Sequence, residues 1–107
     1  MSWWWAFVLT LVVEVPLWVT FLGRWSAWLR LLYAVGLNLL THPLLWWAAH
    51  GHGWATIAAL ELVVVAVEGT ITAVLWRRGA LWSLLTALVI NAASVLAGLL
   101  VTLVTAL

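Results

Sequence analysis

Four apolar runs, each close to the length of a bilayer crossing and separated by only three short breaks, constrain this chain more than any other feature. They extend over Trp3–Leu22, Ala27–Ala49, Ala55–Trp76 and Ala80–Ala106, and the breaks read GRWS, HGHGW and RRG. A helix that crosses the hydrocarbon core takes about 20 residues, so four crossings use the 107 residues almost completely. The breaks hold glycines and most of the arginines, as turns between such segments should. Strands are excluded because a membrane barrel alternates polar and apolar residues, and none of the runs does. Helices satisfy every backbone group within the segment, which lipid demands. The expected fold is all-α: a polytopic membrane protein, an antiparallel bundle of four transmembrane helices in a single domain spanning residues 1–107.

Composition agrees. Hydrophobic residues make up 68% of the chain and charged residues 7%, whereas the surface of a soluble domain is roughly a quarter to a third charged. There are four arginines, no lysine, three glutamates and no aspartate. The first run follows Met1-Ser2 with no basic segment and carries Glu14, which argues against a removable signal peptide. It should remain as the first span.

The arginines orient the chain. Arg24 and Arg30 flank the first break and Arg77 and Arg78 form the third, while the second break and both ends have no Lys or Arg. The positive-inside rule then puts the first and third connections in the cytoplasm, with both termini and HGHGW outside. The expected location is a bacterial inner membrane, multi-pass, N-out and C-out. Tryptophan favours the headgroup zone. Trp3, Trp4, Trp5, Trp46, Trp47 and Trp54 fall near the outer ends of the runs, and Trp25, Trp28, Trp76 and Trp82 near the inner ends. Only Trp18 falls well inside a span, so the interfacial belt is preferred to a pigment or cofactor pocket.

At about 1.5 Å per residue, the midpoints of the runs place Glu14, Asn38, Glu68 and Asn91 within roughly 5 Å of the midplane, one from each helix. His42 and Glu61 lie about a turn further out, with Thr10 and Ser94 close by. Thr10 and Glu14, Asn38 and His42, and Glu68 and Thr72 are each four residues apart, and Glu61 and Glu68 are seven apart, so each pair shares a helix face. Ser83, Ala87, Asn91, Ser94, Gly98, Thr102 and Thr105 make a small or polar stripe on the last helix. These stripes should face one another, because an ionisable group facing lipid costs at least about 2.5 kcal/mol. Pro16 and Pro43 release the carbonyls of Val12 and Leu39 near the polar layers, which either accept a donor there or merely mark kinks. Ser94-x3-Gly98 and Ala93-x3-Ala97 allow close helix approach.

Three carboxylates buried together cannot all remain charged. Some stay protonated and exchange protons readily, and His42 suits a relay. The functional expectation is therefore a proton or cation site built from Glu14, Asn38, His42, Glu61, Glu68 and Asn91, supported by Thr10 and Ser94, in a small transporter, channel or sensor. The cofactor is open. A divalent metal is a sharper version, since carboxylate, imidazole and amide oxygen suit zinc, manganese or iron; His42, Glu61 and Glu68 would hold it. Glu-x-x-His, the spacing usual in bundle di-iron sites, is absent. His50 and His52 could capture a metal at the outer mouth, although a solvated turn accounts for them more simply. Haem ligation by His42 with a loop histidine is a further possibility in a four-helix bundle. Thiolate ligands and disulfides are excluded, because the chain has no Cys.

The competing expectation is an accessory or assembly subunit, in which protonated Glu and Asn only fix helix register through bonds worth roughly 0.6 to 2 kcal/mol each. On either reading the partners are the lipid bilayer and a homo-oligomer or a larger membrane complex. Nucleic acid is not expected, since topology accounts for the four arginines. An enzyme is the less favoured class, since no nucleophile-base arrangement and no phosphate loop is present.

Glu14 in the first helix and the overall size resemble the small multidrug-resistance transporters, which implies a carboxylate that couples protons to substrate. The third helix lacks that family's aromatic and glycine pattern, and Glu61, Glu68 and His42 do not belong to it. Glu14-Val15-Pro16, Asn38-x2-Thr41-His42-Pro43, Glu61-x6-Glu68 and Asn91-x2-Ser94 together resemble a group of small uncharacterised four-helix bacterial membrane proteins. That resemblance covers all four helices and implies a common topology and a shared site, with no activity attached.

Overall fold

Every apolar run folds as one uninterrupted helix. The computed structural model describes residues 3–23, 25–49, 51 and 53–106, with backbone alone at Trp3, Ala49 and Trp54. Helix α1 covers Trp3–Leu22, α2 Ala27–Ala49, α3 Trp54–Leu75 and α4 Ala80–Ala106. Three agree with the bounds expected from sequence. The third starts at Trp54 and stops at Leu75, because Gly53 is an extended N-cap and Trp76 leaves helical geometry while its N–H still bonds Thr72 O at 3.0 Å. All four are long and apolar enough to cross a membrane.

The helices pack as a ring in which α1 touches α2 and α4, and α3 touches α2 and α4. The α2–α3 seam is the loosest of the four. The tightest is α3–α4, where Gly69 is buried against Leu84: a Cβ at Gly69 would lie 2.6 Å from Leu84 Cδ2 and 3.0 Å from its Cα. The expected small pair at Gly98 does not act this way, since nothing lies within 4 Å of a Cβ there.

The connections α1–α2 and α3–α4 lie together at one end. Trp25 and Trp76 pack edge to face with centroids 5.6 Å apart, and Arg78 Nη2 donates to Leu22 O at 2.7 Å. Arg30 donates from Nη1 to Val19 O, and from Nε to Trp25 O at 2.9 Å. A helix leaves its last carbonyls without amide partners, and α1 ends at Gly23 in the left-handed region with φ 56°, the usual glycine stop. Two arginines from elsewhere in the chain therefore close the end of α1, a role beyond orientation.

Burial is inverted relative to a water-soluble bundle. Leu, Val and Trp side chains are exposed along all four helices, whereas Glu14, Asn38, Thr41, His42, Glu68, Thr72, Ser83, Thr86 and Asn91 are buried. This arrangement is compatible with a multi-pass membrane protein, in which polar groups must turn away from lipid. The apolar core gathers in the half of the ring nearer the arginines, from Trp18, Leu22, Ala34, Leu37, Val65, Trp76, Ala87 and Ile90. Trp76 is thus a core residue, held edge to face by Tyr33 at 5.1 Å as well as by Trp25. The polar stripe of α4 is buried only over Ser83, Ala87 and Asn91. Thr102 and Thr105 are exposed, and their hydroxyls return to the carbonyls of Gly98 and Val101 at 2.8 Å, which satisfies them without any neighbour. Val12, Pro16 and Leu39 are also exposed, whereas Pro43 is half-buried.

Candidate functional site

The half of the ring nearer Gly51 is hollow. A cavity of about 430 Å³ is lined by Thr10 and Glu14 of α1, Asn38, Thr41, His42 and Trp46 of α2, Glu61 of α3, and Asn91 and Ser94 of α4. Apolar side chains of Leu45, Ile57, Val64 and Val95 complete its walls, and Gly51 lies at its mouth. The periodicity explains the gathering: Thr10 and Glu14, Asn38 and His42, and Asn91 and Ser94 are three or four residues apart, so each helix turns one narrow polar face inward. From Asn38 to Trp46 the lining extends about 12 Å along α2.

Seven of the eight residues expected to form the site line this cavity. Glu68 is the exception, fully buried beneath it. Asn91 Nδ2 donates to Glu68 Oε1 at 2.6 Å and to Ala87 O at 2.8 Å, so one amide binds the carboxyl and its own helix. Thr41 Oγ1 lies 3.4 Å from Glu68 Oε2 and 2.9 Å from Leu37 O. A hydroxyl has a single hydrogen, and the shorter contact assigns it to Leu37. The Thr41 oxygen then remains free to accept from Glu68 in its acid form. Thr72 Oγ1 donates to Glu68 O at 2.7 Å and is itself 2.7 Å from Tyr33 Oη. Because the Thr72 hydrogen is committed to that carbonyl, Tyr33 is the donor.

Glu14 is only 3% exposed, and its Oε1 has no hydrogen-bond partner among the described residues. Ser94 lies close enough to interact with the Glu14 carboxyl, and Glu68 and Glu61 lie within electrostatic reach of it. His42 stands against Phe7, with ring centroids 5.2 Å apart, and Trp46, at 6.4 Å. Trp46, assigned from sequence to an interfacial belt, is half-buried and belongs to the cavity wall. Glu61 is half-buried at the edge. Together with Ile57, Asn91 and Val95 it also lines an outer groove of about 490 Å³ between α3 and α4.

Asn38 donates to Ala34 O at 2.8 Å and Thr10 to Ala6 O at 2.9 Å, which fixes both side chains at the wall. Sequence reasoning gave no site role to Thr41 or Tyr33. Thr41 could have been found from its three-residue spacing to Asn38. Tyr33 carries no such signal, since its partner Thr72 is 39 positions away.

No three His, Cys, Asp or Glu side chains group closely enough to hold a metal ion among the described residues. The set His42, Glu61 and Glu68 suggested for a metal is divided, two in the cavity wall and one beneath it. His50 and His52, the suggested outer pair, lie outside the described residues. Comparison with models of known protein families, with curated proteins and with solved structures finds no match to this chain.

Proposed function

We propose that this is an inner-membrane protein of bacteria, an antiparallel four-helix bundle with both termini outside, that binds or relays protons or a cation as a small transporter, channel or sensor. The observation that carries the reading is the one-sided cavity. It collects acidic, imidazole and amide side chains from all four helices, and it ends where Trp18, Leu37 and Ile90 begin to fill the opposite half. A purely structural polar core would be expected to close on itself, whereas Glu14 keeps a buried oxygen without a partner among the described residues. Such an oxygen carries the cost of an unmade hydrogen bond, about 1 to 3 kcal/mol. A proton or a bound cation would relieve it. The arginines at the α1–α2 and α3–α4 connections support the orientation, which makes the cavity face outward.

Proteoliposomes with an internal pH dye test this reading. Wild-type protein should support cation-dependent proton movement, and Glu14→Gln and Glu61→Gln should abolish it while leaving the folded protein intact. If both variants behave as wild type, the reading is wrong.

A second reading is favoured by Glu68 alone. Its carboxyl is enclosed by Asn91 and Thr41, as a residue that only fixes helix register would be. The chain would then be an accessory subunit of a larger membrane complex. Stoichiometric co-purification with such a complex, with no binding or flux of its own, would establish that role.

A further inference from the structure

The cavity holds its acids at two depths. Asn91, bonded to the Glu68 carboxyl, marks the deep layer to which Glu14 and Asn38 also belong. Glu61 precedes Glu68 by seven residues on the same helix, so it lies about 10 Å nearer the mouth. Between Glu61 and the deep layer the wall carries the apolar side chains of Val64 and Val95 beside Thr10, His42 and Ser94. A bare metal ion would leave one layer unused, and the side chains needed to surround it are not grouped among the described residues. The volume of about 430 Å³ falls within the roughly 300 to 1,000 Å³ of small-molecule pockets, far beyond what one proton or ion requires.

Two acidic ends on a wall that is apolar along one side complement a molecule with two amino ends joined by an apolar chain. We propose that the cavity binds an aliphatic diamine, with one ammonium at Glu14 and the other at Glu61. The unpartnered Glu14 Oε1 accepts from the deep ammonium, beside the Asn38 and Ser94 side chains. The methylene chain lies against Val64 and Val95. The second ammonium stays near the open mouth, where Glu61 is half-buried and Trp46 offers an aromatic face for a cation. Glu68 takes no direct part, because Asn91 and Thr41 occupy its oxygens. This proposal rests on the cation reading above and narrows it to one ligand class.

Equilibrium dialysis of the full chain in nanodiscs, with diaminopentane and pentylamine as probes, tests it. Diaminopentane should bind about tenfold or more tighter than pentylamine, the low end of what a close charge pair contributes. Glu14→Gln and Glu61→Gln should each reduce diaminopentane to the affinity of pentylamine while pentylamine itself still binds, which shows that the fold persists. Glu61→Asp keeps the charge and should retain more of the preference than Glu61→Gln. Equal affinity for the two amines, a preference that survives either Gln variant, or an Asp variant no better than Gln would overturn the proposal. If neither amine binds but proton movement in liposomes still depends on Glu14, the diamine is wrong and the cation reading stands. If that dependence is missing as well, both fall.

Discussion

The contact between Gly69 and Leu84 sets the spacing of α3 and α4, and a pair of alanine substitutions measures it. In Gly69→Ala the new methyl would meet Leu84 Cδ2 at 2.6 Å, Cγ at 3.2 Å and Cα at 3.0 Å. The side-chain atoms can rotate away. The Cα cannot, so the two helices must separate by a few tenths of an ångström. Overpacking of this kind costs about 1 to 3 kcal/mol, offset by about 0.5 to 1 kcal/mol from replacing glycine within a helix. Gly36 on α2 supplies the control, because nothing lies within 4 Å of a Cβ there. Gly36→Ala should show the helix gain alone. The two variants should therefore differ by about 1 to 3 kcal/mol, with Gly36→Ala the more stable. The assay is unfolding in mixed micelles by titration with dodecyl sulfate, followed by tryptophan fluorescence. Gly69 adjoins Glu68, so separation of the helices should also stretch the 2.6 Å Asn91–Glu68 bond and disturb the floor of the cavity. Equal stabilisation by both substitutions would refute the close approach and, with it, the account of why α3 and α4 are the tightest pair.

Three further outcomes are expected. A double-mutant cycle of Asn91→Ala with Glu68→Leu should give a coupling of about 0.6 to 1.7 kcal/mol, between the average and the largest value for interhelical hydrogen bonds in lipid, and no coupling in the same titration would deny the bond. Tyr33→Phe should cost a similar amount, because it removes one of the polar ties across the loose α2–α3 seam; in Thr72→Val, where that tie is already gone, Tyr33→Phe should cost nothing more. Orientation can be read directly, since the chain has no Cys: an impermeant maleimide should label Gly53→Cys in intact cells and Gly79→Cys only after the membrane is broken, and the reverse pattern would invert the topology.

The fold was legible because the strongest signal in the chain is hydropathy, and hydropathy acts locally. Each run exceeds the length of a crossing, so helix ends could be read from the breaks at Gly23, Gly53 and Gly79 with no knowledge of the partners. Most of the cavity lining was legible for a related reason. A carboxylate or an amide in an apolar helix has few inexpensive places to be, so Glu14, Asn38, His42, Glu61 and Asn91 had to turn inward, and the three-and-four spacing told which neighbours turned with them. What escaped depends on the direction of packing around the ring. Depth assigns Trp76 and Trp46 to an interface, but depth says nothing about the side of the helix, and both face neighbours. The same gap explains Thr102 and Thr105: the period of α4 continues past the point where other helices cover it, and a threonine there is satisfied by its own backbone.

The separation of Glu68 from the cavity shows the limit most clearly. By spacing it is equivalent to Glu61, one of two acids on a shared face. The difference between them comes from α2 and α4, which bring Thr41 and Asn91 against Glu68 and leave Glu61 at the edge. The Glu68 carboxyl is held by partners at both oxygens, whereas Glu14 Oε1 has none among the described residues and Glu61 is half-buried at the cavity edge. Glu14 and Glu61 are therefore the acids on which the proposed ligand site rests. Glu68 differs from them by hydrogen bonds contributed from other helices, which no periodicity within α3 could reveal.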